Sequence, residues 1–125
     1  MGYKVLDITS RWTATKRITI LLIDPVTDVP VGTAIMDYGG TQNATGDAVL
    51  WNLQVVEKFR NKGAGKALLD YAIAKAETRG CTTMSLEWLP YDSDGWVLDW
   101  YKRNGFNVDY SGRYAAVRMT KKLTK

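Results

Sequence analysis

Residues 55–69 read Val-Val-Glu-Lys-Phe-Arg-Asn-Lys-Gly-Ala-Gly-Lys-Ala-Leu-Leu. An apolar run enters this stretch, a basic turn with two glycines follows, and a helical pattern of apolar residues leaves it. Gly63 and Gly65 permit backbone torsions and close approaches that a Cβ would obstruct. The N–H groups of such a turn can converge on an anion, helped by the unpaired donors at the start of a helix. The stretch therefore predicts a strand–loop–helix unit shaped for a pyrophosphate.

Two other phosphate-binding loops are excluded by the same residues. The Gly-x₄-Gly-Lys-Ser/Thr loop needs a glycine and a hydroxyl side chain where this chain has Arg60 and Ala67. The Gly-x-Gly-x-x-Gly loop needs a third glycine where Leu68 stands. A tight strand-to-helix turn that binds no ligand remains the alternative interpretation.

On the N-terminal side of this loop the sequence predicts strands. Segments rich in β-branched and other apolar residues lie at 3–8, 17–23, 31–38 and 48–56. The second and third flank a turn region with two prolines and are expected to form an antiparallel hairpin. Residues 39–47 read as a Gly/Thr/Asn loop, and the run after it is long enough for a strand buried on both faces.

On the C-terminal side the apolar spacing becomes helical from Gly65 until a stop at Arg79-Gly80. A strand at 82–88 follows, then a helix capped at 92–94 that ends near Arg103, and a closing strand pair at 106–110 and 114–123. The predicted order is β-β-β-β-α-β-α-β-β. This order describes one α/β domain over residues 1–125, with helices packed on a mixed, mostly antiparallel sheet.

Composition excludes several kinds of chemistry. The chain has no histidine and one cysteine, Cys81, which excludes Ser-His-Asp and Cys-His triads, an intrachain disulfide and a plausible structural zinc site. We expect Cys81 to be a small buried hydrophobe rather than a nucleophile. Proton transfer must therefore use Asp, Glu, Tyr, Lys, Cys or water, and no metal is predicted.

Location and charge are less informative. No apolar run approaches the roughly 20 residues of a membrane span, and no signal peptide is apparent, so we expect a soluble cytoplasmic protein with no membrane partner. The net charge of +4 suits an anionic ligand. A nucleic-acid binder is the alternative, with a basic patch at Arg11, Lys16, Arg17 and 118–122. Since no nucleic-acid-binding signature accompanies the patch, we expect no such partner.

Two motifs resemble the GNAT acetyltransferase superfamily. Its coenzyme A loop, Gln/Arg-x-x-Gly-x-Gly/Ala, is matched at 60–65 by Arg-Asn-Lys-Gly-Ala-Gly, and the flanking leucines and valine match as well. Its aromatic-Tyr-x-x-x-Gly-Phe pattern is matched at 100–106 by Trp-Tyr-Lys-Arg-Asn-Gly-Phe. The chain is similar to the family over residues 48–123. The resemblance implies a GNAT-like fold and an acetyl-coenzyme A-dependent N-acetyltransferase that acts on an amine acceptor.

The resemblance also implies roles for individual residues. The loop N–H groups would bind the coenzyme pyrophosphate, and the preceding strand, splayed at a bulge, would lie against the pantetheine. The implied coenzyme-binding residues are Leu53, Gln54, Val55, Arg60, Asn61, Lys62, Gly63, Ala64, Gly65 and Lys66. Tyr101 matches the family's general acid, since a phenol with a pKa near about 10 can protonate a thiolate with a pKa near about 8.5. A core aromatic residue is the alternative reading of Tyr101.

The general base is less well defined. Candidates are Glu87, Asp92, Asp94 and a water chain. Glu87 is favoured because family members sometimes carry an acidic residue on this strand, and burial beside Trp88 would raise its pKa. An outward-facing carboxylate is the alternative. Asp94 stands where the family often has Asn against the pantetheine, and a helix N-cap fits it better.

The segment between the first and second strands departs from the family, which usually places two helices there. Only residues 9–16 are available, too few for two helices of about 11 residues each. Two hypotheses follow. The acceptor side is unusually open and admits a protein or peptide amine, or a second subunit forms a homodimer and supplies the missing wall through Trp12, Trp51 and Trp88. A non-catalytic coenzyme-binding or interaction module is the alternative function, and the motifs leave the acceptor unidentified.

Overall fold

The computed structural model describes residues 2–12, 15–39, 47–89, 94–111 and 117–123. These residues form seven strands and two α-helices, in the order β1 (Lys4–Trp12), β2 (Thr15–Ile23), β3 (Pro30–Gly39), β4 (Asp47–Val55), α1 (Ala64–Thr78), β5 (Thr83–Trp88), α2 (Gly95–Arg103), β6 (Asn107–Ser111) and β7 (Val117–Lys122). A single 3₁₀ turn, Glu57–Phe59, lies between β4 and α1. The predicted order of elements and the α/β class are confirmed.

The described strands form one sheet in the order β1-β2-β3-β4-β5-β7-β6. Only the β4–β5 pair is parallel, because α1 crosses over between these two strands. The other neighbouring pairs are antiparallel. This mixed, mostly antiparallel sheet is the one expected from the sequence.

Both helices pack on the same side of the sheet, which we call the helix face. On β2 every second residue points into this side, so Ile18, Ile20 and Leu22 are completely buried. α1 comes very close to β3 because position 32 has no side chain. A Cβ on Gly32 would lie 2.8 Å from Leu68 Cδ1.

The first two strands form a long hairpin. β1 pairs with β2 from Lys4 opposite Ile23 to Trp12 opposite Thr15. The segment 9–16 therefore continues both strands, apart from residues 13 and 14, which lie outside the described ranges. Thr9, Trp12 and Thr15 favour extended backbone and have cross-strand partners, which explains why this segment is strand where the family usually has two helices.

The opposite side of the sheet, which we call the open face, is covered by neither described helix. It carries the exposed side chains of Leu6 and Ile8 on β1 and of Trp51 on β4. Neither α1 nor α2 is long and apolar enough to cross a membrane, and these are the helices of the described residues. Among the described residues, helices therefore cover one face of the sheet and not the other.

Candidate active site

The glycine loop turns the chain from β4 into α1. Gly63 is the N-cap of α1 and has φ +79°, a left-handed torsion that favours glycine. No described group accepts a hydrogen bond from the N–H groups of residues 63–66. The loop therefore presents four backbone donors at the positive end of a helix, an arrangement that suits an anion. The N–H of Lys62, which we expected in this cradle, instead donates to Phe59 O over 3.2 Å.

The cations of the loop have partners of their own. Lys66 Nζ lies 2.7 Å from Asp70 Oδ1 in an exposed ion pair. Arg60 Nε donates to Val55 O over 3.1 Å, which fixes the stem of this side chain against the end of β4. Lys62 Nζ lies 5.3 Å from the centre of the Phe59 ring. All three cations surround the helix start, although Asp70 offsets part of the charge of Lys66.

β4 carries the bulge that the family resemblance implies. Its register against β3 shifts between Thr33 and Ile35, and Asn52 has φ +46°. β4 pairs with β5 only at residues 47–49, so the two strands separate beyond that point. The β5 side of residues 53–55 is consequently a strand edge without a partner strand, which can pair with the amides of a ligand.

The separation of β4 and β5 opens a cleft of about 1260 Å³. Eight of the ten residues predicted to bind the coenzyme line it, together with both predicted catalytic residues. The predicted residues that line the cleft are Leu53, Gln54, Val55, Arg60, Asn61, Gly63, Gly65, Lys66, Glu87 and Tyr101. Lys62 and Ala64 do not line it, and Ala64 is completely buried at the start of α1.

Tyr101 projects from α2 into the cleft. Its ring packs edge-on against Trp100 and Phe106, and the residue is 8% exposed. No described group hydrogen-bonds to its hydroxyl, yet no buried polar side-chain atom of the described residues lacks a partner. The hydroxyl therefore reaches the cleft. Burial raises the pKa of Tyr101 to about 12, so the phenol keeps its proton at neutral pH.

The expectation that Glu87 is buried is wrong, since the side chain is exposed. Met84 and Leu86 are the buried apolar residues of β5 and face the helices, so strand alternation turns Glu87 to the open face. It lies opposite Arg118 of β7 in register. Glu87 lines the cleft from the open face, whereas Tyr101 reaches it from the helix face.

Asp92 and Asp94 are the other two carboxylate candidates for the general base. Asp92 lies outside the described residues. Asp94 is the N-cap residue of α2, as expected, but its side chain makes no capping hydrogen bond. Its Oδ2 accepts a hydrogen bond from Trp96 Nε1 over 3.2 Å, and its carbonyl accepts one from Trp88 Nε1 over 3.2 Å.

A polar cluster on the open face was not anticipated from the sequence. Arg17 Nε and Nη2 donate to the two oxygens of Asp37 over 2.7 and 2.9 Å. Trp51 Nε1 donates to the same carboxylate over 3.0 Å. The signal that could have revealed it is a lone aspartate in the apolar run at 31–38, because a carboxylate in such a strand needs partners.

Cys81 is buried, as expected, with 4% exposure, and desolvation raises the pKa of its thiol. It lies at the far end of the sheet from the cleft, at the start of β5. No group of three or more possible metal ligands occurs within the described ranges. The cleft is lined by a phenol, carboxylates and the residues of the glycine loop.

The glycine loop at the start of α1, the free edge of β4 and Tyr101 thus lie around one cleft. The family model described as the Acetyltransferase (GNAT) family matches residues 4–106. The chain belongs to this family.

Among curated proteins, the chain is 36% identical over 67 residues to the [ribosomal protein bS18]-alanine N-acetyltransferase of Salmonella typhimurium. The matched segment is 54% of this chain and 44% of that enzyme, so it spans less than half of the relative.

Solved structures show the same fold. A Klebsiella pneumoniae protein named as an acyl-CoA N-acyltransferase superposes with a TM-score of 0.78, 19% identity and 98% coverage of both chains. The PaiA N-acetyltransferase of Thermoplasma acidophilum, solved with coenzyme A, has a TM-score of 0.72 and 19% identity, covering 85% of this chain and 60% of that one. The ribosomal-protein-S18-alanine N-acetyltransferase of Escherichia coli has a TM-score of 0.68 and 23% identity, over 87% and 70% of the two chains.

Proposed function

We propose that the protein is an acetyl-coenzyme A-dependent N-acetyltransferase that acetylates a primary amine. One observation carries the proposal: the β4–β5 cleft has the glycine loop and Tyr101 on its helix-face side and Glu87 on its open-face side. Direct transfer needs an acid at the leaving sulfur and a base at the attacking nitrogen, on different sides of the reacting carbon. The cleft provides both.

The residues present fit the donor. The free N–H groups of residues 63–66, at the positive end of α1, suit the pyrophosphate. Arg60 and Lys66 add positive charge beside them, and the free edge at 53–55 can hydrogen-bond the two amides of pantetheine. A Cβ at Gly65 would lie 3.4 Å from the Trp100 ring, so side-chain bulk is absent where the loop meets α2.

The transfer balances with two protein groups. Acetyl-coenzyme A supplies an acetyl group activated as a thioester. The amine nitrogen bonds to the acetyl carbon and the carbon–sulfur bond breaks. Glu87 takes the proton that the ammonium must lose before it attacks, directly or through a water, and Tyr101 gives its hydroxyl proton to the departing thiolate. The second proton, which the nitrogen loses as the amide forms, returns to Tyr101 and restores the phenol. The backbone N–H groups near the Asn52 bulge stabilise negative charge on the acetyl oxygen.

The alternative is a non-catalytic coenzyme-binding or interaction module on the same fold. The exposure of Glu87 favours it, because a surface with no catalytic role would also carry an exposed carboxylate on a strand. The nucleic-acid alternative has less support, since Arg17 and Arg118 of the basic patch are paired with Asp37 and Asp109.

The donor site is tested by calorimetric titration with acetyl-coenzyme A of the unchanged protein and of Gly63→Trp. No atom of the described residues lies within 4 Å of a Cβ built at Gly63, so the new side chain would occupy loop space rather than the core. We expect micromolar binding by the unchanged protein and loss of it in the variant.

Gly80→Trp is the matched control. Gly80 also has a positive φ, +84°, with no protein atom within 4 Å of its Cβ position, but it lies at the other end of α1. Both variants carry the same backbone strain of about 1–2 kcal/mol, and only Gly63→Trp should lose binding. Equal loss in both would assign the effect to folding, and no binding by the unchanged protein would refute the donor site.

Catalysis is tested separately by incubation with acetyl-coenzyme A and amine acceptors, followed by mass spectrometry. The Salmonella relative is by its name an alanine N-acetyltransferase, so we propose peptides with a free amino-terminal alanine as the first acceptors. Acetylated peptide supports an enzyme, whereas coenzyme binding without transfer to any amine supports the module.

A further inference from the structure

Trp51 combines exposure with a fixed orientation. The residue is 45% exposed on the open face, and it directly precedes Asn52, whose φ of +46° marks the bulge. Its indole N–H donates to Asp37 Oδ2 over 3.0 Å, and Arg17 holds that carboxylate through two further hydrogen bonds. The ring is therefore held on the open face beside Asn52, which lines the cleft, instead of turning freely in solvent.

Desolvation of the Asp37 carboxylate on β3 costs free energy. Its side chain is 12% exposed, and burying a charge is costly unless it is paired and hydrogen-bonded. Arg17 supplies the pairing, and the indole of Trp51 uses part of the remaining acceptor capacity. Rigid aromatic side chains with a bonded polar end are typical of recognition surfaces, because they give contact area at little cost in conformational entropy.

Trp51 ends a row of side chains that crosses four strands of the open face. Ile8 of β1 lies opposite Thr19 of β2, Thr19 lies opposite Ile35 of β3, and Ile35 lies opposite Trp51 of β4. We call these four residues the cross-strand row. Three strand spacings give it a length of about 14 Å, the reach of about four extended residues.

The row leads from the sheet edge to the point of attack. The glycine loop and Tyr101 lie towards the helix face, so an amine that reaches Glu87 must come over the open face. On the β4 side of the cleft it would pass Trp51. On the other side, β5 and β7 carry polar residues on this face, such as Ser85 and Thr120. The apolar path therefore extends from one side of the cleft only.

We infer that the cross-strand row is the acceptor platform and that the acceptor is a polypeptide, which presents its terminal amine to Glu87 while about four residues lie across the row. The inference rests on the proposed N-acetyltransferase activity. A small amine would leave the row without a use, and an internal lysine would extend its chain over both sides of the cleft. Trp51 is then an acceptor-contacting residue, and Asp37 and Arg17 are positioning residues.

The first test measures binding apart from transfer. A hexapeptide with a free amino-terminal alanine and a dye at its C-terminus is titrated with the protein saturated with coenzyme A, and anisotropy is recorded. We expect Trp51→Ala to weaken binding about tenfold or more, the loss usual for a central aromatic contact. Val26→Ala, which alters another exposed apolar side chain away from the row, should leave binding unchanged.

The second test uses kinetics on acceptors of increasing length. KM should fall from alaninamide to peptides of about four residues and then level off, as the row length requires. Trp51→Ala should raise KM for the hexapeptide without changing KM for alaninamide or the affinity for coenzyme A. Asp37→Asn keeps an oxygen that can accept from the indole but removes the negative charge that pairs with Arg17. This variant should raise the same KM to a smaller extent.

Three results would overturn the platform: no peptide binding to the coenzyme complex, a KM independent of peptide length, or equal effects of Trp51→Ala and Val26→Ala. Failure of the proposed function gives a different pattern. Peptide binding that depends on Trp51, with no acetylation of any amine, would retain the platform and remove the enzyme.

Discussion

At the scale of single residues, Tyr101 shows how burial keeps a phenol protonated. With 8% exposure and no hydrogen bond from a described group, its phenol is desolvated, and its pKa rises to about 12. A thiolate is a weaker base than this phenolate, so proton transfer from Tyr101 to a free thiolate is unfavourable at equilibrium. In the proposed reaction, the hydroxyl can donate its proton only to a sulfur that lies next to it and becomes negatively charged as the carbon–sulfur bond breaks.

Tyr101→Phe isolates this hydroxyl. We expect kcat to fall by about 10²- to 10⁴-fold, the usual worth of a positioned acid, with the Kd for acetyl-coenzyme A unchanged. Steady-state kinetics and calorimetry measure the two quantities. An unchanged kcat would return Tyr101 to the core-aromatic interpretation.

The same variant has a signature in stability. The folded pKa of about 12 lies above the unfolded value near about 10, so the neutral phenol stabilises the fold below pH 10. That stability, about 3 kcal/mol at most, is lost as the pH rises towards 12. Phenylalanine cannot ionise, so the variant should lose less stability between these pH values in urea unfolding.

Residues of this kind were only partly predictable. Gly63 stands in a local turn pattern that predicts an anion-binding loop, and the family resemblance implied the place of Tyr101 at the cleft. The Asp37–Trp51 contact joins residues of two strands whose register depends on the whole sheet, and the positive φ of Asn52 follows from the bulge. Neither the hydrogen bond nor the torsion can be predicted from residues adjacent in the sequence.

At the scale of elements, β1 is attached to α1 through one carboxylate. Tyr71 donates to Asp7, and Lys75 Nζ lies 3.1 Å from it. The Tyr71 hydrogen bond, and after it that of Lys75, lowers the pKa of Asp7. This contact fixes the edge strand against the helix that begins at the coenzyme loop.

Asp7→Asn should lower the free energy of unfolding by about 1–2 kcal/mol at pH 7, since hydrogen bonds to a charged partner are lost. A lowered pKa gives stability above the unfolded value of about 3.9 that disappears as the pH falls through the folded value. The difference from the unchanged protein should thus shrink below pH 4 in urea unfolding.

The control for this variant is Asp28→Asn. Asp28 also forms a lysine pair, with Lys4 at 2.8 Å, but its side chain is 72% exposed. An exposed pair contributes about 0–1 kcal/mol, so a smaller change is expected. Equal losses in the two variants would contradict the role of the Asp7 contact.

At the scale of the whole molecule, the two faces of the sheet have different partners. α1 and α2 cover the helix face, whereas the described residues leave Leu6, Ile8 and Trp51 exposed on the other. The alternation of apolar residues predicted the strands, but it could not say which face remains uncovered. That depends on the long hairpin of β1 and β2, which occupies the place where the family usually has two helices.

We expect the protein to be monomeric at micromolar concentration, because the platform must stay accessible to a peptide. Light scattering measures this directly, with Trp51→Ala beside the unchanged protein. A dimer that dissociates in the variant would show that a second copy covers the open face, and the homodimer hypothesis would replace the platform.

The burial of Cys81 has a practical consequence. Acetyl transfer releases a free thiol on coenzyme A, and the chain's one cysteine is 4% exposed with a raised pKa. Because the thiolate is the reactive form, a chromogenic thiol reagent should react with released coenzyme far faster than with folded protein. Turnover can thus be followed continuously against a low background. The rate of the slow residual labelling of Cys81 then measures how often the core opens transiently.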